Sequence, residues 1–146
     1  MEIDTTRFGK VEFAADCVLH FPEGLPGLED CFDWVLLADP GNDAIIWMQS
    51  VTRPDIALAV ASPRRFVPHY RLRVCRHELE GLGLERLEDA EVLAVVSKAG
   101  EGLVLNLKAP LVIHLPRRCG RQVIANGDVP VQFPLGAEAA VCKKSA

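Results

Sequence analysis

Three side chains that could bind a metal lie close together near the middle of the chain, namely His69, Cys75 and His77. Imidazole nitrogen and thiolate sulfur are both good zinc ligands. However, the spacing fits no established structural zinc pattern, and a fourth ligand is not evident. We therefore interpret this grouping as chance, and we predict neither a metal site nor a cofactor.

Two cysteines have charged neighbours that could influence their reactivity. Cys119 follows Arg117 and Arg118, and nearby cations favour the nucleophilic thiolate form. Cys31 instead follows Asp30. No motif pairs Cys119 with a histidine base, so we predict a free cysteine in a hairpin loop and no catalytic residues. The chain is expected not to be an enzyme.

The segment 21–28 combines two prolines and two glycines between apolar residues. Proline fixes φ and glycine admits positive φ, so the pattern predicts one rigid bend rather than a linker. The residues that form this structural elbow are Phe21, Pro22, Gly24, Pro26 and Gly27. A phosphate-binding loop is disfavoured, because no lysine or serine stands in the P-loop arrangement and no long helix is predicted to follow.

Acidic side chains are densest between residues 78 and 91. The cluster contains Glu78, Glu80, Glu85, Glu88, Asp89 and Glu91, interrupted by Arg86. A solvated face is the commoner meaning of such a run. The alternative is a docking face for a basic partner, because complementary charge raises association rates and sets orientation.

The composition of the whole chain excludes several classes of protein. Sixteen lysines and arginines against twenty acidic residues give a formal net charge of −4, which disfavours direct binding to nucleic acid. We expect no secretory signal, and no apolar run approaches the roughly 20 residues that span a bilayer. Five cysteines without a C-x-x-C spacing indicate no disulfide framework. We expect a cytoplasmic protein without a membrane partner.

The elements that must position these residues are short strands. Apolar runs separated by turn residues predict an all-β, mainly antiparallel fold. The predicted strands are 11–13, 18–21, 34–38, 44–51, 56–61, 92–98, 102–108, 111–115 and 122–125, with short helical turns at 27–32, 63–67 and 77–84. Closure into a barrel-like, closed or nearly closed sheet removes strand edges, with an open sandwich as the alternative. We predict one domain over 1–136 and a flexible tail at 137–146.

Several ordered segments resemble a known family, the bacterial flagellar assembly factor FliW. The matching segments are 3–5 with Gly9 and Val11, the elbow 21–27, then 47–51, 55–58, 106–113 and 120–124. The resemblance implies a small β-barrel-like protein that binds flagellin and the carbon storage regulator CsrA. CsrA represses translation of flagellin mRNA, and the family relieves this repression from outside the RNA site, which makes the antagonism allosteric.

The resemblance turns several residues into candidate contacts. It supplies a basic RNA-binding partner for the acidic residues Glu85, Glu88, Asp89 and Glu91. Gln49, Ser50, Asn106 and Lys108 lie in matching segments as further partner-binding candidates, although they could instead join strand ends. Ser62-Pro63 replaces the Asn-Pro pair frequent in the family, and Arg64-Arg65 follows it. We expect a monomer when free.

Two other classes of function stay open at this point. A ligand-binding barrel or enzyme would need an internal pocket, but the sequence pairs no acid and base at recognisable positions. A nucleic-acid-binding barrel would need aromatic stacking platforms beside a basic groove, whereas the few aromatic residues lie mostly in predicted strand cores.

Overall fold

The computed structural model describes residues 1–135, and strands dominate them. The strands are β1 (Glu2–Thr5), β2 (Gly9–Glu12), β3 (Leu19–His20), β4 (Asp33–Ala38), β5 (Ile46–Ser50), β6 (Ala57–Ala61), β7 (Ala90–Ala99), β8 (Gly102–Leu105), β9 (Leu111–His114), β10 (Cys119–Gln122) and β11 (Phe133–Pro134). The helical pieces of this part are short 3₁₀ turns at Ala15–Cys17, Pro63–Arg65, Arg76–Leu79 and Leu87–Asp89. None of these helical pieces is long and apolar enough to cross a membrane.

A ring of backbone hydrogen bonds runs through seven strands, in the order β7-β6-β5-β4-β3-β10-β9 and back to β7. The ring closes at β7, which is long enough to pair with β9 within the ring and with β8 outside it. Its first part, Ala90 to Leu93, pairs with β9, and its last part, Val96 to Ala99, pairs with β8. All pairings are antiparallel except β10 with β3. The prediction of an all-β, nearly closed sheet is confirmed.

The interior of the ring is filled by side chains that alternate along the strands. The fully buried members include Phe21, Trp34, Met48, Val60 and Ile113. The indole N–H of Trp34 donates to the Cys31 carbonyl at 3.2 Å, so the polar group of this buried side chain has a hydrogen-bond partner. This apolar interior holds the opposed strands together.

Two further apolar clusters lie outside the ring. One packs Ile45, Ala61 and Val96 against chain segments around Phe66 and Phe133. The other centres on Leu82, Val112 and Val123. The connections between strands are therefore part of the hydrophobic structure, and the outer face of the sheet is covered in places.

Two predictions around Cys119 are wrong in detail. The strand predicted at 122–125 begins at Cys119, because Arg118, at φ +53°, ends a turn after Leu115. Cys119 therefore lies in a strand, not in a hairpin loop. Residues 123–125 still hydrogen-bond beside 108–110, but Pro110 has no N–H to continue the ladder.

Of the three predicted helical turns, one is confirmed, one is shorter than predicted and one is absent. The turn at 63–67 is confirmed as Pro63–Arg65. Residues 27–32 form no helix, because Leu25 and Leu28 bond to each other across Pro26-Gly27 in a tight turn. The short helix expected at 77–84 is reduced to Arg76–Leu79, followed by Gly81 at φ +89°. The single-domain prediction stays a prediction, and the tail at 137–146 lies outside the described residues.

Candidate partner-binding face

The long connection between β6 and β7, residues 62–89, lies against the outer face of β7, β9 and β10. We call it the crossover. Its side chains Leu72, Val74, Leu79 and Leu84 pack around Leu82 and against Val92 and Val112 of the sheet. Connections longer than about 12–15 residues are uncommon in compact domains and often functional. The crossover is therefore a candidate binding site.

Side chains of the sheet hold the crossover backbone in place. The buried His114 of β9 contacts the Leu82 carbonyl through Nδ1 at 2.8 Å, and the Cys119 thiol lies 3.7 Å from the same oxygen. Arg121 donates to the Glu80 carbonyl at 3.3 Å. These polar anchors fix the path of the crossover where strand pairing does not.

A groove opens between the two halves of the crossover, with a cavity of about 230 Å³. Leu72, Val74 and Leu84 supply apolar walls, and Val92 of β7 lies beneath. The hydroxyl of Tyr70, which also lines the groove, is buried without a hydrogen-bond partner in the described structure. Burial raises the pKa of Tyr70, so its hydroxyl stays protonated and can donate.

Among the predicted acidic residues, Glu91 lines this groove, and Glu85, Glu88 and Asp89 precede it in the chain. Glu85, Glu88 and Glu91 are exposed, whereas Asp89 is half-buried. Glu88 pairs with Arg86 at 2.7 Å, which reduces its availability to a partner. Their neighbour Leu87 lines the groove and is 82 % exposed. The acidic run therefore surrounds an apolar side chain that has no cover.

Gln49 and Ser50, by contrast, are buried at the end of β5. The Gln49 amide donates to the carbonyls of Ser50 and Pro54, and the Ser50 hydroxyl accepts the N–H of Arg53 at 3.0 Å. Both side chains thus stabilise the turn before β6. Their role in partner binding stays a prediction. Because both side chains are buried, such a role would depend on the turn that they hold.

Asn106 and Lys108 organise the connection between β8 and β9. The Asn106 side-chain oxygen accepts the N–H groups of Lys108 and Ala109 at 3.1 and 3.0 Å. The Lys108 ammonium donates to the carbonyls of Ala125 and Gly127 at 2.7 and 2.8 Å. These side chains therefore stabilise the connection between β8 and β9, and their contact with a partner stays a prediction.

The elbow connects β3 to β4 by a fixed path. Gly24 and Gly27 have φ of +64° and +83°, and a side chain at Gly24 would meet the Glu29 backbone at 2.8 Å. Phe21 is fully buried against Gly120, where an added Cβ would lie 2.5 Å from the ring. Glu23 forms an ion pair with Arg121 at 3.0 Å, which joins the elbow to β10.

The residues first considered for metal or thiol chemistry do not form a site together. His69, Cys75 and His77 are each exposed, and the Cys75 thiol faces the Asn126 side-chain oxygen at 3.4 Å. Residues 1–135 contain no group of three potential metal ligands.

Sequence reasoning missed the groove and its anchor His114. The signal for the groove was present, because Tyr70, Leu72 and Val74 alternate with Arg71 and Arg73 at the period of an extended chain. His114 carried no such signal, since its partner is a backbone carbonyl distant in sequence.

Comparison with known proteins finds a family that matches this chain. The family model described as FliW protein matches residues 2–135. The flagellar assembly factor FliW of Bdellovibrio bacteriovorus is 35 % identical over 138 residues, covering 92 % of this chain and 79 % of the relative. The flagellar assembly factor FliW of Azoarcus sp. is 37 % identical, with 86 % and 92 % covered.

A solved structure agrees with the fold. The crystal structure of a flagellar assembly factor FliW superimposes with a TM-score of 0.84 at 27 % sequence identity. The superposition covers 94 % of this chain and 99 % of the other. The match extends over nearly the whole of both chains.

Proposed function

Because this chain belongs to the FliW family of flagellar assembly factors, we propose that it acts by binding two proteins, flagellin and the translational regulator CsrA. The factor occupied by flagellin leaves CsrA free to repress flagellin mRNA. When flagellin is exported, the released factor binds CsrA outside its RNA site and relieves the repression. The setting is the cytoplasm, and no cofactor takes part.

The observation that carries this proposal is the family match over residues 2–135, together with a sheet of the same fold. The structure supports a binding protein in one further respect. The ring interior is filled by fully buried side chains such as Phe21, Trp34 and Met48, whereas the groove with its exposed Leu87 lies outside. The alternative of a ligand-binding barrel with a pocket inside the ring gains no support from that packing.

The regulation follows from mass action. A partner that binds one state of a protein stabilises that state by a free energy of RT ln(1 + [L]/Kd). The bound protein is then less available to a competing partner. A rise in free flagellin therefore lowers the factor available to CsrA, and the rate of translation follows the state of export. No chemical step is needed, which agrees with a chain we expect to have no catalytic residues.

The direct test is a calorimetric titration of the purified chain with CsrA and, separately, with flagellin. We expect binding to each partner, and displacement of CsrA from the factor when flagellin is added in excess. A fluorescent flagellin leader RNA would report whether the factor releases RNA from CsrA. Failure of the chain to bind either protein would overturn the proposed function.

The acidic face gives a more specific prediction. Replacement of Glu85, Glu88 and Asp89 by lysine is expected to weaken CsrA binding by about tenfold or more at low salt, since like charges then oppose a basic partner. The same triple variant should show less effect at high salt, where exposed charges are screened. Calorimetry across a salt series measures both, and an unchanged low-salt affinity would contradict the role of this face.

A further inference from the structure

The ladder between β6 and β7 is shorter than the two strands that form it. It contains two residue pairs, and Val60 with Val95 is the pair at its open end. Residues 57–59 of β6 and 96–98 of β7 continue past this pair as strands. In the described part of the chain they have no ladder partner across the gap. We call the gap between these two stretches the slit.

Backbone groups of both strands point into the slit. Successive residues of a strand direct their N–H and C=O groups to opposite neighbours. The Ile56 carbonyl accepts an N–H of β5, so the backbone groups of Ala57 point the other way, into the slit. The Val95 carbonyl accepts an N–H from the segment after β8, so those of Lys98, three residues later, also point into the slit. Open edges of this kind can pair with an added strand.

The slit contains a cavity of about 480 Å³. This volume is within the range of about 300–1,000 Å³ that is usual for ligand pockets. Its lining comes from both faces of the sheet. Trp47 and Ala59 belong to the cluster on the outer face, whereas Leu58 and Val95 pack against the ring interior. An extended chain in the slit therefore directs alternate side chains inward and outward.

The charged side chains of the lining are Arg7, Asp39 and Lys98. The Asp39 carboxylate is occupied, because it accepts the indole N–H of Trp47 at 2.9 Å and the N–H of Gly41 at 3.0 Å. The Arg7 guanidinium lies over the Trp47 ring, 4.3 Å from its centroid. Neither Arg7 nor Lys98 forms an ion pair within residues 1–135. The lining therefore favours an acidic occupant.

We propose that the slit is a docking site for an extended acidic segment of a partner protein. The segment lies in the slit as an added strand, with backbone hydrogen bonds to the edges at Ala57 and Lys98. Its apolar side chains point inward to Leu58 and Val95, and its carboxylates point outward beside Arg7 and Lys98. This site goes beyond the proposed function, because its occupant is defined by charge and backbone pairing, whichever protein supplies it.

The test uses a synthetic peptide, fluorescently labelled acetyl-Asp-Val-Asp-Val-Asp-Val-Asp-amide, titrated against the full chain by anisotropy. Two matched peptides separate charge from backbone pairing. In one, lysine replaces every aspartate; in the other, alternate backbone nitrogens are methylated and cannot donate. We expect the acidic peptide to bind about tenfold or more tightly than either. Equal affinities, or no binding of the acidic peptide, would overturn the proposal.

Charge reversal in the lining tests the position of the peptide. Lys98→Glu and Arg7→Glu are each expected to lower the affinity for the acidic peptide about fivefold or more at low salt, and less at high salt. The matched control Arg71→Glu changes an exposed arginine outside the lining, and it should change the affinity less than about twofold. Equal losses in all three variants would show that net charge alone attracts the peptide, which would overturn the proposal.

Amide hydrogen exchange locates the added strand. The amides of Ala57 and Lys98 should exchange about tenfold or more slowly in the presence of the acidic peptide, because they gain hydrogen-bond acceptors. The amide of Arg71, outside the slit, is the control and should not change. Binding of the acidic peptide without protection of Ala57 and Lys98 would overturn the proposed strand addition.

The same amides distinguish other occupants in the chain alone. Protection of Ala57 and Lys98 that rises with protein concentration would assign the slit to a second copy, and protection at every concentration would assign it to a segment of the same chain. An oligouridylate that binds as tightly as the acidic peptide would indicate general attraction of anions. Each of these results would overturn the proposal. None of them affects the titrations with flagellin and CsrA, so the proposed function would stand.

Discussion

The ring of strands and the crossover on its outside are stabilised in different ways. Strand ladders run around the ring, and side chains such as Trp34 and Met48 are fully buried within it. The crossover has only short 3₁₀ turns, and a few bonds from His114, Cys119 and Arg121 hold its carbonyls. The comparison indicates a rigid support that carries a more loosely secured connection on its outer face.

This division agrees with the proposed exchange of partners. A face held by few backbone bonds opens at lower free energy than a core ladder, so it can adjust to a partner without unfolding the sheet. Each prediction below changes one of the two regions and asks whether the other is affected.

The largest effect is expected from the ring interior. Trp34→Ala should lower the free energy of unfolding by about 3–5 kcal/mol, because it removes the largest fully buried side chain and leaves a cavity. Denaturant unfolding with two probes measures this loss. The control Leu87→Ala, at an exposed side chain, should stay within about 0.5 kcal/mol of wild type.

The next effect concerns the elbow. Gly24→Ala should cost about 1–3 kcal/mol, because it combines positive φ with a Cβ that meets the Glu29 backbone at 2.8 Å. Gly27→Ala also has positive φ, but its Cβ would meet nothing within 4 Å. It should therefore cost less than Gly24→Ala. Equal thermal midpoints for the two variants would show that backbone strain alone, without the close approach, sets the cost.

A smaller and local effect is expected at the crossover anchor. His114→Ala removes the contact with the Leu82 carbonyl and should destabilise the protein by about 1–3 kcal/mol, through an unpaired carbonyl and lost packing. Hydrogen exchange should rise in the crossover, residues 62–89, before it rises in β4 and β5. Equal increases in both regions would contradict the separation of crossover and ring.

Much of the strand content could be predicted from the sequence, because alternation and turn residues are local signals. The strand at 34–38 and the hairpin turn at 99–101 follow from such patterns, and they appear within a residue or two. The start of β10 was misplaced because it depends on Arg118 in a turn and on Gly120 packing under Phe21. Neither feature is visible in the residues nearby.

The candidate site was only half predictable. The acidic run was evident from its density, but the groove was not, since the segments that line it are apart in sequence. Gln49 and Ser50 were identified from a matching motif, yet their burial and bonds to the turn depend on the neighbouring strands. A polar side chain does not reveal on its own whether its partner is a strand end or another protein.

The sequence by itself determined the strand class, the rigid elbow at Pro26-Gly27 and the resemblance to FliW, because each is written in contiguous residues. Only the tertiary structure decided that β7 closes the ring by pairing with both β6 and β9. It also decided that the crossover forms a groove on the outer face of the sheet. These features depend on the register of strands and on contacts between distant residues, and local propensity does not specify such contacts.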